Sequence, residues 1–198
     1  MGKNLLKMQL LYRVLTRKIL TLKSWFFRMH LMLSGAVEVD RSAEISHQAI
    51  FQLTQDRADC PQIVIGAKAK IKQYCILGPR NGHIRIGKGT TINPFCVLLG
   101  YGGIDIGNNV RIAAGTSIIA FNHNFDNVDI PIASQGNNWK GIKIDDDVWI
   151  GTGVKILDGV HISSGCVIGA NSTVTKSLPP LSVAVGSPAK VIKMRGNT

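Results

Sequence analysis

His123 stands in the polar run Asn122, His123, Asn124, Phe125, Asp126. A neutral imidazole is the side chain best suited to take a proton from an attacking hydroxyl near neutral pH, an effect of roughly 10²- to 10⁴-fold. The other histidines lack such company: His47 and His161 fall at outward positions of a repeat, His83 in a short insert and His30 near the amino terminus. A zinc centre needs several ligands converging on one point, and the segment around His123 supplies a single histidine, so no metal is expected. Cys60, Cys75, Cys96 and Cys166 show no CxxC pair and no metal-ligand spacing, which predicts reduced thiols in a cytoplasmic protein.

These residues must be held by something, and the chain carries a period of six. An aliphatic residue recurs without a break at Ile144, Ile150, Ile156, Ile162, Ile168 and Val174, and earlier at Val39, Ile45, Ile65, Ile71, Ile86, Ile92, Ile106 and Ile112. Four places after most of these stands a small or β-branched residue, among them Cys75, Cys96 and Cys166. A six-residue unit cannot bury its own aliphatic side chain, so units must stack as short parallel strands around one continuous column. Three units make an 18-residue triangular coil. Coils starting at residues 39, 65, 86, 106, 144 and 162 exceed that length by 8, 3, 2, 20 and 0 residues. The inserts are therefore confined to the third side or the corners beside it, and the long one, spanning residues 119–141, holds His123.

The whole chain of 198 residues is one coil with appendages: residues 1–35 as a basic helical segment, 36–178 as the β-helix and 179–198 as a capping tail. With 45% hydrophobic and 18% charged residues it is no solvated disordered chain. The net charge of +11 is lopsided, since residues 1–30 hold seven Lys and Arg and no acid. Met8, Leu11, Leu15, Ile19, Leu22, Phe26, Met29 and Leu33 recur three or four apart, one stripe of a helix. Such a stripe, with Trp25 and Phe27 near its end, either lies on an anionic membrane through residues 1–33 or packs within an oligomer. Basic residues interrupt it too often for an export signal or a spanning helix. No nucleic-acid-reading motif accompanies the charge.

The repeats resemble the left-handed parallel β-helix of the hexapeptide-repeat acyltransferases. Within that family the stretches IDIGNNVRIAAGTSIIAFNHNFD, DDDVWIGTGVKILDGVHI and VIGANSTVTKSLPPLSVAVGSPAKVI are similar to the maltose, galactoside and polysaccharide O-acetyltransferases. The left hand comes with the resemblance, against the usual right-handed crossover rule. The resemblance implies an all-β fold with a protruding loop and a homotrimer. Acetyl-CoA would lie in a groove between neighbouring coils, and His123 would serve as base for transfer to a saccharide hydroxyl. It implies acceptor contact by Asn93, thirty residues before His123, although asparagine also suits a turn there. Asp126 or Asp129, or else a backbone carbonyl, would orient the imidazole. Trp149 is either an aromatic beside the channel or a plug at a trimer corner. Gly151, Thr152, Gly169 and Ala170 would let an extended pantetheine arm approach the backbone, though each glycine also suits a coil corner. Thr175, Lys176 and Lys190 complete the expected cofactor set, the lysines as point charges for phosphate or adenine. An N-acetyltransferase of an amino sugar and a non-catalytic β-helical assembly protein are the rival readings.

Overall fold

The computed structural model describes residues 15, 16, 19, 22–54 and 62–196. Cys60, Met8 and Leu11 lie outside the described residues. Three parallel sheets wind around one axis as the sides of a prism, a left-handed parallel β-helix. Each coil places one strand of two or three residues in each sheet, and the same sheet receives a strand again one coil later.

Register shows why the period of six works. In the first sheet Val39, Ile65, Ile86, Ile106, Ile144 and Ile162 stand above one another. In the second sheet Ile45, Ile71, Ile92, Ile112, Ile150 and Ile168 do the same. The third sheet's column is Leu77, Leu98, Ile118, Ile156 and Val174, of which the sequence pattern had named Ile156 and Val174 and left out the first three. All three columns point inward and are buried, so each rung covers the aliphatic atoms of the next. Fully burying one such side chain is worth about 1.5–3 kcal/mol, and the columns repeat that gain along the axis.

The fifth residue of each unit also points inward. Ala69, Cys75, Cys96, Val110 and Cys166 are fully buried there, free thiols included. Burial pushes the Cys166 thiol above its ordinary value, as befits a small hydrophobe with no solvent route. Where this position is polar, its hydroxyl bonds the backbone: Thr90 Oγ1 donates to the Gly107 carbonyl at 2.7 Å and accepts the Val110 N–H at 3.0 Å.

Among the described residues the longer connections share one edge: 79–83 and 120–141 lie between a third-sheet strand and the next first-sheet strand, as do the short links 100–103 and 158–160. The outer face of the third sheet is largely apolar, with Ile50, Ile76, Val97, Leu99, Ile119 and Leu157 half-buried or exposed, and turns polar toward the carboxyl-terminal coils at Ser117, Lys155 and Thr173. After Val174 the strand Ser182–Gly186 adds one more rung to the second sheet, and Ala189–Met194 folds back on it antiparallel.

A helix over residues 22–33 closes the amino-terminal end. It docks through Leu31, buried in the core, and through Phe27, whose ring meets Phe51 edge-on at 5.9 Å. Arg28 ties it down by donating to the Arg41 carbonyl at 2.7 Å. The stripe residues Leu22, Phe26, Met29 and Leu33 face solvent instead.

Candidate functional site

His123 rides on a hairpin that the long insert forms with itself. The strands Asn122–His123 and Asn137–Asn138 pair antiparallel, and a short 3-10 turn at Ile132–Ser134 closes the far end. Side chains brace it: Asn124 Nδ2 donates to the Gln135 carbonyl at 3.0 Å, and Gln135 Nε2 donates to the carbonyls of Asn127 and Ile130. The foot of the loop is clamped by Asp158, whose carboxylate accepts the Lys140 N–H at 2.9–3.0 Å and the Gly141 N–H at 2.9 Å.

The imidazole is exposed, and among the described residues neither ring nitrogen has a hydrogen-bond partner. Its orientation comes from an aromatic series. Phe121 meets the His123 ring edge-on at 5.7 Å, Tyr101 packs on Phe121 at 4.4 Å, and the Arg80 guanidinium lies 5.8 Å from the Tyr101 ring centre. Residues 80, 101 and 121 each fall in or beside an insert of a different coil, brought together because the inserts share one edge. Asp126, exposed three residues further on, makes no hydrogen bond to His123 in the single chain.

The remaining candidates divide between two edges. Asn93, Gly151, Thr152, Gly169 and Ala170 lie in the turns from the second sheet to the third. Trp149 stands just before that corner, exposed on the second sheet, and Lys190 lies on the returning strand at its end. Thr175 and Lys176, both exposed, lie on the other edge with His123, beyond the last third-sheet strand. The outer face of the third sheet separates the two groups, so one chain does not bring Asn93 and the corner of Gly151 and Gly169 to His123.

Two of these candidates already have local structural work. Asn93 Nδ2 donates to the Ile112 carbonyl at 2.8 Å, closing the corner to the next coil. A Cβ on Gly151 would sit 2.7 Å from the Ala170 backbone nitrogen, so the coils approach too closely there for any side chain. Thr152 and Ala170 remain exposed beside it, leaving a small-residue wall.

Outward charges on the first sheet pair across rungs. His161 Nε2 lies 2.8 Å and Lys143 Nζ 3.2 Å from Asp145, and against the opposing effect of desolvation these partners hold that carboxyl below its usual range. His83 and Arg85 do the same for Asp105. Among the described residues no three His, Cys, Asp or Glu side chains group as metal ligands.

Residues 141–176 match the model of the bacterial transferase hexapeptide family (six repeats). A hexapeptide-repeat acetyltransferase from Vibrio cholerae, solved with acetyl coenzyme A, is 32% identical with a TM-score of 0.58, over 67% of this chain and 70% of that one. A maltose O-acetyltransferase from Clostridium difficile superposes with a TM-score of 0.62 at 27% identity, covering 91% and 90%. AntD, an N-acyltransferase from Bacillus cereus solved with dTDP and 3-hydroxybutyryl-CoA, reaches 0.71 at 26% identity, covering 85% and 88%. The chain belongs to the hexapeptide-repeat acetyltransferases. It spans about half the length of the curated acetyltransferases it matches, 52% and 53% of two of them.

Proposed function

We propose that the protein is an acetyl-CoA-dependent O-acetyltransferase acting on a saccharide hydroxyl, as in polysaccharide or lipopolysaccharide synthesis, and working as a homotrimer. The observation that carries this reading is His123: an exposed imidazole with unoccupied nitrogens, positioned by Phe121 on a self-braced loop. His123 takes the hydroxyl proton as the oxygen attacks the thioester carbonyl. The tetrahedral adduct then collapses with cleavage of the carbon–sulfur bond, and the departing thiolate recovers the proton from the imidazolium. No acyl-enzyme is formed.

The division of candidates between two edges supports the oligomer. In a closed three-fold ring with the apolar third sheet turned to the axis, one chain's His123 edge abuts its neighbour's Asn93 and Gly151 edge. Trp149, Gly151, Thr152, Gly169 and Ala170 would then line the cofactor groove opposite the loop. Thr175, Lys176 and Lys190 lie near its far end, and Asn93 faces the acceptor. Asp126, or a group of the neighbouring subunit, would orient the imidazole. An acceptor carried on a lipid at the cytoplasmic membrane face suits the basic amino terminus.

Release of CoA thiol, measured across a panel of saccharides, tests the proposal. His123→Ala is expected to lower kcat with a hydroxyl acceptor by roughly 10²- to 10⁴-fold. The fold likeness to AntD favours a second reading, transfer to a sugar amine, whose nucleophile needs less help from a base. That reading wins if an amino sugar is the faster acceptor and His123→Ala leaves most of the rate. Failure to bind acetyl-CoA at all would leave the non-catalytic assembly role.

A further inference from the structure

The helix over residues 22–33 uses only one of its faces to cap the coil. Phe27 and Leu31 carry that docked face, and Arg28 at its border bonds the Arg41 carbonyl. At about 100° per residue, the arc of Leu22, Trp25, Phe26, Met29, Met32 and Leu33 is centred roughly 180° away from it. Those six side chains are exposed, Leu33 by 79%. The arc therefore faces outward from the docked side, with Trp25 at its border also lining a hollow over Glu44, Ser46 and Lys72 of the second sheet. A contiguous apolar patch of this kind on a water-facing end marks a surface that meets something.

Charge says what. Arg28 and Arg41 border the arc on one side, lining with Trp25, Met29, Met32 and Leu33 a cavity of about 590 Å³, and Lys23 lies toward the other border. Of the acids that follow the helix, Asp40 accepts hydrogen bonds from the Ser42 N–H and hydroxyl and Glu44 pairs with Lys70 at 2.9 Å, while Glu38 is exposed on the first strand. In the sequence the same spacing runs back through Ile19 and Leu15, and no acid precedes Glu38. An apolar strip edged by cations, with a tryptophan in it and no acid, complements an anionic lipid surface rather than a protein of mixed charge. Among the described residues no helix is long and apolar enough to cross a membrane, so the arc would lie in the plane.

We propose that this arc seats the protein on an anionic phospholipid bilayer, with the coil standing end-on. This claim deepens the membrane part of the function proposed above, and only its corollary rests on the catalytic part. His123 leaves the fourth coil, and at about 4.8 Å per rung its loop is held on the order of 20 Å from the lipid surface. The acceptor hydroxyl then belongs to a saccharide reaching some distance out from its lipid carrier.

The test is sedimentation of the full-length protein with vesicles of phosphatidylcholine alone or with about 30 mol % phosphatidylglycerol. Binding to the anionic vesicles only, weakened on raising salt from about 0.1 to 0.5 M, is expected. The double substitution Trp25→Ser with Phe26→Ser should lower the bound fraction by roughly tenfold or more. Its melting temperature and oligomeric state should stay as in the parent. Equal binding to both vesicle types, undiminished binding of the double variant, or its dissociation into smaller species would each overturn the proposal, the last by making the arc a subunit contact. Vesicle binding is read without turnover, so loss of thiol release with sedimentation intact would sink the catalytic reading and leave this one standing.

Discussion

Asp158 offers the sharpest test of how the fold holds its loop. Its carboxylate takes both the Lys140 and Gly141 N–H groups, where the long insert rejoins the first sheet, and the neighbouring Gly159 N–H donates to the Gly141 carbonyl at 2.9 Å. Asp158→Ala removes two of these three backbone anchors and leaves the coil strands intact. Hydrogen bonds to a charged acceptor are worth about 1.5–3 kcal/mol each when sheltered, and this carboxylate is only half-buried, so a total of about 2 kcal/mol is a fair magnitude. That loss lowers the ratio of seated to unseated loop by roughly 30-fold, which bounds the fall in kcat expected from thiol-release kinetics. The KM for acetyl-CoA should barely move, because Gly151 and Gly169 lie on the other edge. The melting temperature should fall by about 4–8 °C for a chain of this size. Asp158→Asn keeps one acceptor oxygen and should recover much of the rate. An Asp158→Ala enzyme with parental kcat and parental protection of residues 120–141 from hydrogen exchange would refute the reasoning.

Two further outcomes follow from the interior and the first sheet. Thr90→Val strands the buried Val110 N–H and should cost about 1–3 kcal/mol. Thr116→Val removes only a donor to the carbonyls of Ala113 and Gly151, and should cost less in the same thermal melt. Equal losses would mean that the inward hydroxyls act by volume rather than by bonding. The depressed Asp145 carboxyl stabilises the fold above the ordinary aspartate range and loses that contribution as pH falls through and below about 4. The melting advantage of the parent over Asp145→Asn should accordingly be present at neutral pH and shrink progressively as pH falls below about 4. An advantage undiminished by that fall would rule out the ion pairs with His161 and Lys143 as its source.

The columns were legible because a rung of two or three residues has one way to bury an isoleucine, so spacing alone located Ile144, Ile150 and Ile156. The placement of every insert on one side was legible for the same reason. What spacing could not give was contact between distant inserts. Tyr101 and Phe121 meet because the coil pitch stacks two loops, and neither residue is unusual in its own stretch of sequence. Asp158 reads as an ordinary turn residue before Gly159 until the returning loop arrives above it. Periodicity found the helix stripe but not the face that docks, since Phe27 and Leu31 make the opposite side apolar too.

The edges of the prism account for why the candidate site is split. An extended pantetheine arm needs a straight wall of constant rise, and of the two corners that flank the third sheet the one from the second sheet keeps every turn short, with Gly151 and Gly169 drawing successive coils together. A proton acceptor that reaches into a groove needs the reverse, a protrusion that interrupts the rise, and the corner from the third sheet to the first carries all of those. One edge cannot supply both. In the proposed ring, separating them across the third sheet would make each chain half a site, and three sites would be completed by the same contact that covers Ile50, Val97 and Leu99. Burial of that face and assembly of the catalytic groups become a single event, so a chain that fails to associate would lose its chemistry along with its partner.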